Sequence, residues 1–321
     1  MLSGAPLTDP RRYGKKCSTN GDTGSSLRRN ASTTTPRPRR GGRLVDRVTQ
    51  FWVRTTGRLV DLRQYSWLDG PWHEPDVLGS DWVHHEATRR GAGVTEKLDS
   101  GLLPSLHVLE GDHVDPDTID PRIGDFYRCT AAWRLELWSQ WTAWAWPFGW
   151  ALSTLFSRRL RQLSLPLRGL DNSRGVDSRV LVVEDPAGVR HGAAWLRDLR
   201  ATGDTVFSGW YGTVTLPGRS QPSVRVVFPL PNGSLTVLLR PSSSADGGLR
   251  LLSPHGEFGD DGAYLVVRAD DDHHAWVRRI PVHERFDVFV DDEGILRTDH
   301  ELHLWRFPVL ALHYRMMPRR P

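Results

Sequence analysis

The sequence predicts an α+β protein, with a helical N-terminal half packed on a curved antiparallel β-sheet or barrel of lipocalin-like or helix-grip-like character. Three observations predict it. Apolar residues recur at helical spacing as far as Leu163. After Pro166 the period changes to two. Short turn signals then cut the second half into runs whose brief connections require antiparallel neighbours.

The first 43 residues stand apart from this pattern. They are rich in Ser, Thr, Gly, Pro and Arg and nearly free of large apolar side chains. Such a segment buries too little surface to offset its ordering entropy, so a disordered basic tail is expected. It holds ten basic residues and two acids, a net +8, whereas the whole chain carries +4. Residues 44–321 therefore carry −4, and the pI of 9.3 belongs to the tail. A nucleic-acid role for the folded part loses its main support. Interaction with nucleic acid or protein through the tail stays as an alternative.

From Leu44, the residues Val48, Phe51, Trp52, Thr55, Leu59 and Leu62 continue one apolar helical face. Residues 65–124 read as loops, with Gly, Pro and Asp punctuation. A second helix is expected from about Asp125 to Trp146, with Phe126, Thr130, Trp133, Leu137, Trp141 and Trp144 on one face and Pro147 breaking it. A further amphipathic segment runs from Phe148 to Leu163. Arg158, Arg159 and Arg161 cluster at its end, where cations suit the helix dipole. The expected organisation is a tail at 1–43, a helical segment at 44–166 and an antiparallel β domain at 176–316, with 44–316 also readable as one domain.

Ten strands are expected, at 179–183, 190–199, 205–215, 223–228, 234–240, 263–269, 275–280, 284–290, 295–306 and 309–315. Asn232-Gly233, Asp260-Asp261-Gly262 and the run Asp291 to Gly294 supply turns between them. So many strands imply a barrel, a strongly curved sheet or a sandwich. Such a sheet must cover its apolar face. It does so by enclosing a cavity or by wrapping the Trp-rich helix.

The run Leu137–Ser157 has no charged residue and holds five of the fourteen tryptophans. Its length would permit a membrane span, but Pro147, Gly149 and several Ser and Thr argue against one. Burial under the sheet or an interfacial helix fits better.

No catalytic motif is present: no nucleophile elbow, phosphate loop, dinucleotide turn, His-Glu-x-x-His or Cys-x-x-Cys. No catalytic residue is assigned, no metal site and no cofactor. The His and acid groupings at Asp270–His274 and Asp299–His303 do not converge, because in a strand His300 shares a face with Leu302 and Leu304 while His303 shares the other with Asp299 and Glu301. The acid pairs Asp260/Asp261 and Asp291/Asp292 read as solvated turn formers. Cys17 and Cys129 give no disulfide framework, and Cys129 reads as a buried thiol. With no apolar run after Met1, a cytoplasmic setting follows, with peripheral membrane contact open.

Three stretches carry a resemblance: Phe126-Tyr127-Arg128 through Trp138-Ser139-Gln140-Trp141, Phe156-Ser157-Arg158-Arg159-Leu160, and Leu310-Ala311-Leu312-His313-Tyr314-Arg315. The chain resembles a group of uncharacterised actinobacterial proteins of unknown function over about Trp67 to Met316. The resemblance implies a bacterial cytosolic setting and no chemistry.

The functional expectation is non-catalytic binding of a lipid or other apolar small molecule in a β cavity, at a membrane surface or near one. Trp141, Trp144 and Trp150 are expected at the mouth, with Arg158, Arg159 and Arg161 facing anionic headgroups. His300 and His313 are the candidate polar groups of the cavity. The enzyme alternative is an isomerase or hydrolase using one of those histidines as a general base, which requires a carboxylate partner inside a pocket.

Overall fold

The computed structural model describes residues 44–72, 81–142, 176–199, 205–269, 271 and 273–319. They form three short helices, α1 (Leu44–Thr56), α2 (Asp81–Arg89) and α3 (Pro121–Arg128), and fourteen strands. The strands are β1 (Arg58–Asp61), β2 (Gly93–Glu96), β3 (Trp133–Trp141), β4 (Val176–Glu184), β5 (Arg190–Leu199), β6 (Thr205–Val214) and β7 (Ser223–Leu230). They continue with β8 (Gly233–Ser243), β9 (Leu249–Leu252), β10 (Gly262–Arg268), β11 (His274–Ile280), β12 (Val282–Val290), β13 (Leu296–Leu304) and β14 (Phe307–Pro318).

All fourteen belong to one antiparallel sheet. Its order is β1-β11-β10-β8-β7-β6-β5-β4-β3-β14-β13-β12-β9, with β2 added on β4. The sheet curls strongly, because β9 pairs with β12 on one side and with the end of β8 on the other. It is not a closed barrel among the described residues: β3 and β4 share one register pair, Leu135 opposite Val176.

The ten expected strands are all present, with ends shifted by a few residues. A helical N-terminal half is not seen among the described residues. α1 stops at Thr56, and Arg58–Asp61 pairs with β11 instead of extending the helix. The expected helix from Asp125 to Trp146 is corrected most: α3 ends at Arg128, and Trp133–Trp141 is a strand along β14. Its sequence Trp-Arg-Leu-Glu-Leu-Trp-Ser-Gln-Trp satisfies both periods. Pairing with β14 over nine register positions decides for the strand, which also suits the β preference of tryptophan. The segment Phe148–Leu163 lies outside the described residues.

The strands are apolar on both faces because both faces are covered. Along β4 to β8, Val180, Val182, Trp195, Val224, Val226, Val237 and Leu239 join the inner core. Their neighbours Leu181, Val183, Ala194, Leu196, Trp210 and Val227 pack outward against Trp82, Val83 and Ala87 of α2. Trp67 and Leu68 likewise cover Leu238, Tyr264 and Val266. Trp67, Leu68 and α2, within a stretch read as loops, thus supply the outer layer. Trp82 is fully buried, and its indole Nε1 donates to Ser208 Oγ at 2.9 Å. Burying one such ring stabilises the fold by roughly 2–3 kcal/mol.

Turn chemistry fixes the register. Pro231 and Asn232 form the two-residue loop between β7 and β8, with Asn232 at φ 59°. Gly233 already belongs to β8, where an added Cβ would lie 1.9 Å from the Val266 carbonyl oxygen of β10. Asp291 accepts from the backbone N–H of Glu293 and Ile295, closing the β12–β13 hairpin. Asp261 departs from the expected solvated turn. It is fully buried and accepts from Ser223 Oγ at 2.5 Å and Arg240 Nε at 3.1 Å, and it pairs with Arg219 Nη1. Cys129 is buried.

His283 sits outside the inner core, its ring 3.7 Å from that of His255. Nδ1 faces the Ser253 carbonyl oxygen at 3.3 Å, so that nitrogen carries the proton. Burial, and then the neighbouring His255, lower its pKa below 6.5. As pH falls below 6.5 the unfolded chain takes up a proton that folded His283 resists, so stability present at neutral pH drains away until the lowered value is passed. Thermal melts between pH 7.5 and pH 5 should show this loss, and His283→Gln should flatten it. An unchanged slope in that variant would remove His283 from the account.

Candidate functional site

Inside the curl lies a cavity of about 690 Å³. Strand alternation builds its wall. β12 contributes Val282, Glu284, Phe286 and Val288, β13 contributes Thr298, His300, Leu302 and Leu304, and β14 contributes Leu310, Leu312, Tyr314 and Met316. Trp195, Arg197, Phe207, Tyr211 and Phe228 line it from β5, β6 and β7, and Phe126 and Tyr127 from α3. The lining is almost wholly apolar and aromatic, and the volume falls within the range of small-molecule sites.

Trp141, Trp305 and Phe307 also line the cavity. Trp305 is 60 % exposed and Phe307 is 49 % exposed, which places the β13–β14 hairpin tip at the rim. Thr142 follows Trp141 and donates to the carbonyl oxygens of Pro308 and Val309, so β3 ends against that hairpin. The tip carries Trp305 at φ 53°.

Three acidic or basic side chains break the apolar wall. Glu284 and His300 form one pair, with Oε2 3.1 Å from Nε2, and the imidazole stacks on Phe286 at 3.8 Å and 15°. His300 Nδ1 is enclosed and has no hydrogen-bond partner. Arg197 is the third. It is 8 % exposed, and its guanidinium lies 3.6 Å from the centre of the Trp195 ring and 4.5 Å from that of Phe207.

The other buried arginines have hydrogen-bond or ion-pair partners, although the Nε of Arg225 has none. Arg225 donates to the carbonyl oxygens of Ser66, Trp67 and Asp69 at 3.2–3.4 Å, and burial, then Arg90, lowers its pKa to about 10. Arg268 pairs with Asp69. Arg197 has no hydrogen bond or ion pair from its side chain among the described residues, and its Nε is buried without a partner. The aromatic faces offset only part of the cost of burying that charge.

Tyr211 stands beside this group, its ring 5.6 Å from Trp195 and 6.2 Å from Phe207. Burial raises its phenol pKa above the ordinary 10.0, against the pull of Arg197, so the hydroxyl stays a donor at neutral pH.

Of the residues singled out from sequence, Trp141 and His300 line the cavity. Trp141 does so from a strand, not a helix. His313 does not: it faces outward on β14, half exposed, with Nδ1 2.7 Å from Asp299. Trp144, Trp150, Arg158, Arg159 and Arg161 lie outside the described residues. Arg197, Glu284 and Tyr211 were missed. The signal existed: in a strand, Arg197 must share a face with Trp195, which is an odd place for a cation.

No group of three metal-ligating side chains converges among the described residues, and no described helix is long and apolar enough to cross a membrane. No family model, curated protein or solved structure matches the chain.

Proposed function

We propose that this protein binds a lipid or other apolar small molecule, without transforming it, inside the curled sheet. One observation carries the reading: a cavity of about 690 Å³ whose wall is apolar and aromatic on nearly every strand. Transfer of apolar surface from water into such a space is favourable at roughly 25 cal/mol per Å² buried. The exposed rim of Trp305 and Phe307 suits collection of the ligand from a membrane surface, since aromatic side chains settle at the bilayer interface.

The Glu284–His300 pair favours the second reading, a general base oriented by a carboxylate. The binding reading is preferred on the geometry of the ring. A base so oriented needs its other nitrogen open to substrate, and His300 Nδ1 is enclosed while one face of the ring is covered by Phe286.

Titration of the full chain with oleyl alcohol, followed by tryptophan fluorescence, tests the proposal. Trp195 and Trp141 line the cavity, so saturable change at one alcohol per chain is expected. A folded protein whose emission never saturates would contradict it.

A further inference from the structure

We propose that Arg197 receives the carboxylate of a monoanionic amphiphile, such as a long-chain carboxylic acid, whose chain fills the apolar cavity. The inference deepens the binding reading and rests on it.

A buried cation is ordinarily paired or hydrogen-bonded, because leaving it alone in an apolar setting is expensive. Arg225 and Arg268 obey that rule and Arg197 does not. Arg197 is 8 % exposed and lines the cavity, and its guanidinium lies over the rings of Trp195, Phe207 and Tyr314. Stacking occupies the faces of the planar group and leaves its N–H edge free. That edge matches a carboxylate in two parallel hydrogen bonds.

Charge selects the ligand class. Arg197 is the one Arg or Lys in the described lining. The lining carboxylate, Glu284, already has His300 as its partner. A monoanion pairs one to one with the Arg197 guanidinium, whereas a phosphate dianion would bring a second negative charge to an apolar wall that also holds Glu284. Tyr211 belongs to the same aromatic group and also lines the cavity. The acyl chain then lies along Val226, Val237, Phe286 and Leu312.

The test compares oleate with oleyl alcohol on the full chain and on Arg197→Met. The two ligands share the apolar chain and differ in the charge at its end. In the wild type oleate should bind at least about tenfold more tightly, as expected for a charge-assisted pair away from water. In Arg197→Met the ratio should collapse to near one or invert. Equal affinities in the wild type, or a ratio that survives Arg197→Met, would overturn the inference while leaving the cavity reading intact, because the alcohol still binds. A folded wild type that takes neither ligand would overturn both. If Arg197→Met does not fold, carboxyl-labelled oleate bound to the wild type decides by NMR. A carboxyl signal that stays ionised well below the titration of free acid supports the contact with Arg197. A signal that titrates like the free acid overturns it.

Discussion

Replacing Val226 with Trp should abolish uptake of the neutral ligand while leaving the protein folded. Val226 is buried on β7, opposite Val237 of β8, and its side chain lines the cavity. In a tightly packed core, such an enlargement costs about 1–3 kcal/mol through strain. Here the added ring has about 690 Å³ of space to enter, so the melting temperature should hold or rise. The same space is then denied to the ligand. We expect affinity for oleyl alcohol to fall by at least about tenfold, equivalent to ~1.4 kcal/mol. Val237→Trp should act alike from the neighbouring strand. Unchanged affinity in both folded variants would place the ligand elsewhere.

Asp261→Ala should be strongly destabilising. Asp261 has no exposed surface, and it holds Arg219, Arg240 and Ser223 together at the β7–β8–β10 edge of the sheet. Removing the carboxylate leaves Arg240 without a counter-charge, leaves Arg219 with Asp260 alone, and strands a buried hydroxyl. Breaking a buried ion pair from one side costs about 3–5 kcal/mol. Some screening reaches Arg219 and Arg240, which are only partly covered, so we expect the lower part of that range, about 3 kcal/mol, as a shift of the urea midpoint. A loss under about 1 kcal/mol would show that solvent already satisfies both arginines.

Sequence made the β half legible because its pattern was unambiguous. Ten runs of period two lay between Gly, Asn and Asp turns, and each became a strand. The N-terminal half was less legible for physical reasons visible in single residues. Trp133, Leu137 and Trp141 fit a helical stripe as well as a strand, and only β14, far along the chain, settles which they join. Arg58–Asp61 is too short to announce itself and is a strand because β11 offers a free edge. The covering layer from Trp67 to Ala87 hid behind loop-like composition, since its few large side chains, Trp67 and Trp82 above all, act through long-range contacts.

The site was legible in part. Counting put His300 on one face with Leu302 and Leu304, and it lines the cavity, whereas His313, also expected in the cavity, faces outward with Asp299. What sequence did not show was which inward positions share one cavity. Glu284 and His300 lie sixteen residues apart and meet through the register of β12 on β13. Arg197 looks ordinary beside Asp198 in the sequence. Its meaning comes from Trp195, Phe207 and Tyr314, which surround it on three strands.

The central claim is that the cavity holds an apolar ligand, and native mass spectrometry of the full chain as purified from cells tests it most directly. We predict a mass above that of the bare chain, released on denaturation as a small apolar species, with a carboxylic acid as the class that Arg197 selects. A bare mass in every preparation, together with no added mass after incubation with oleate or oleyl alcohol, would contradict the account.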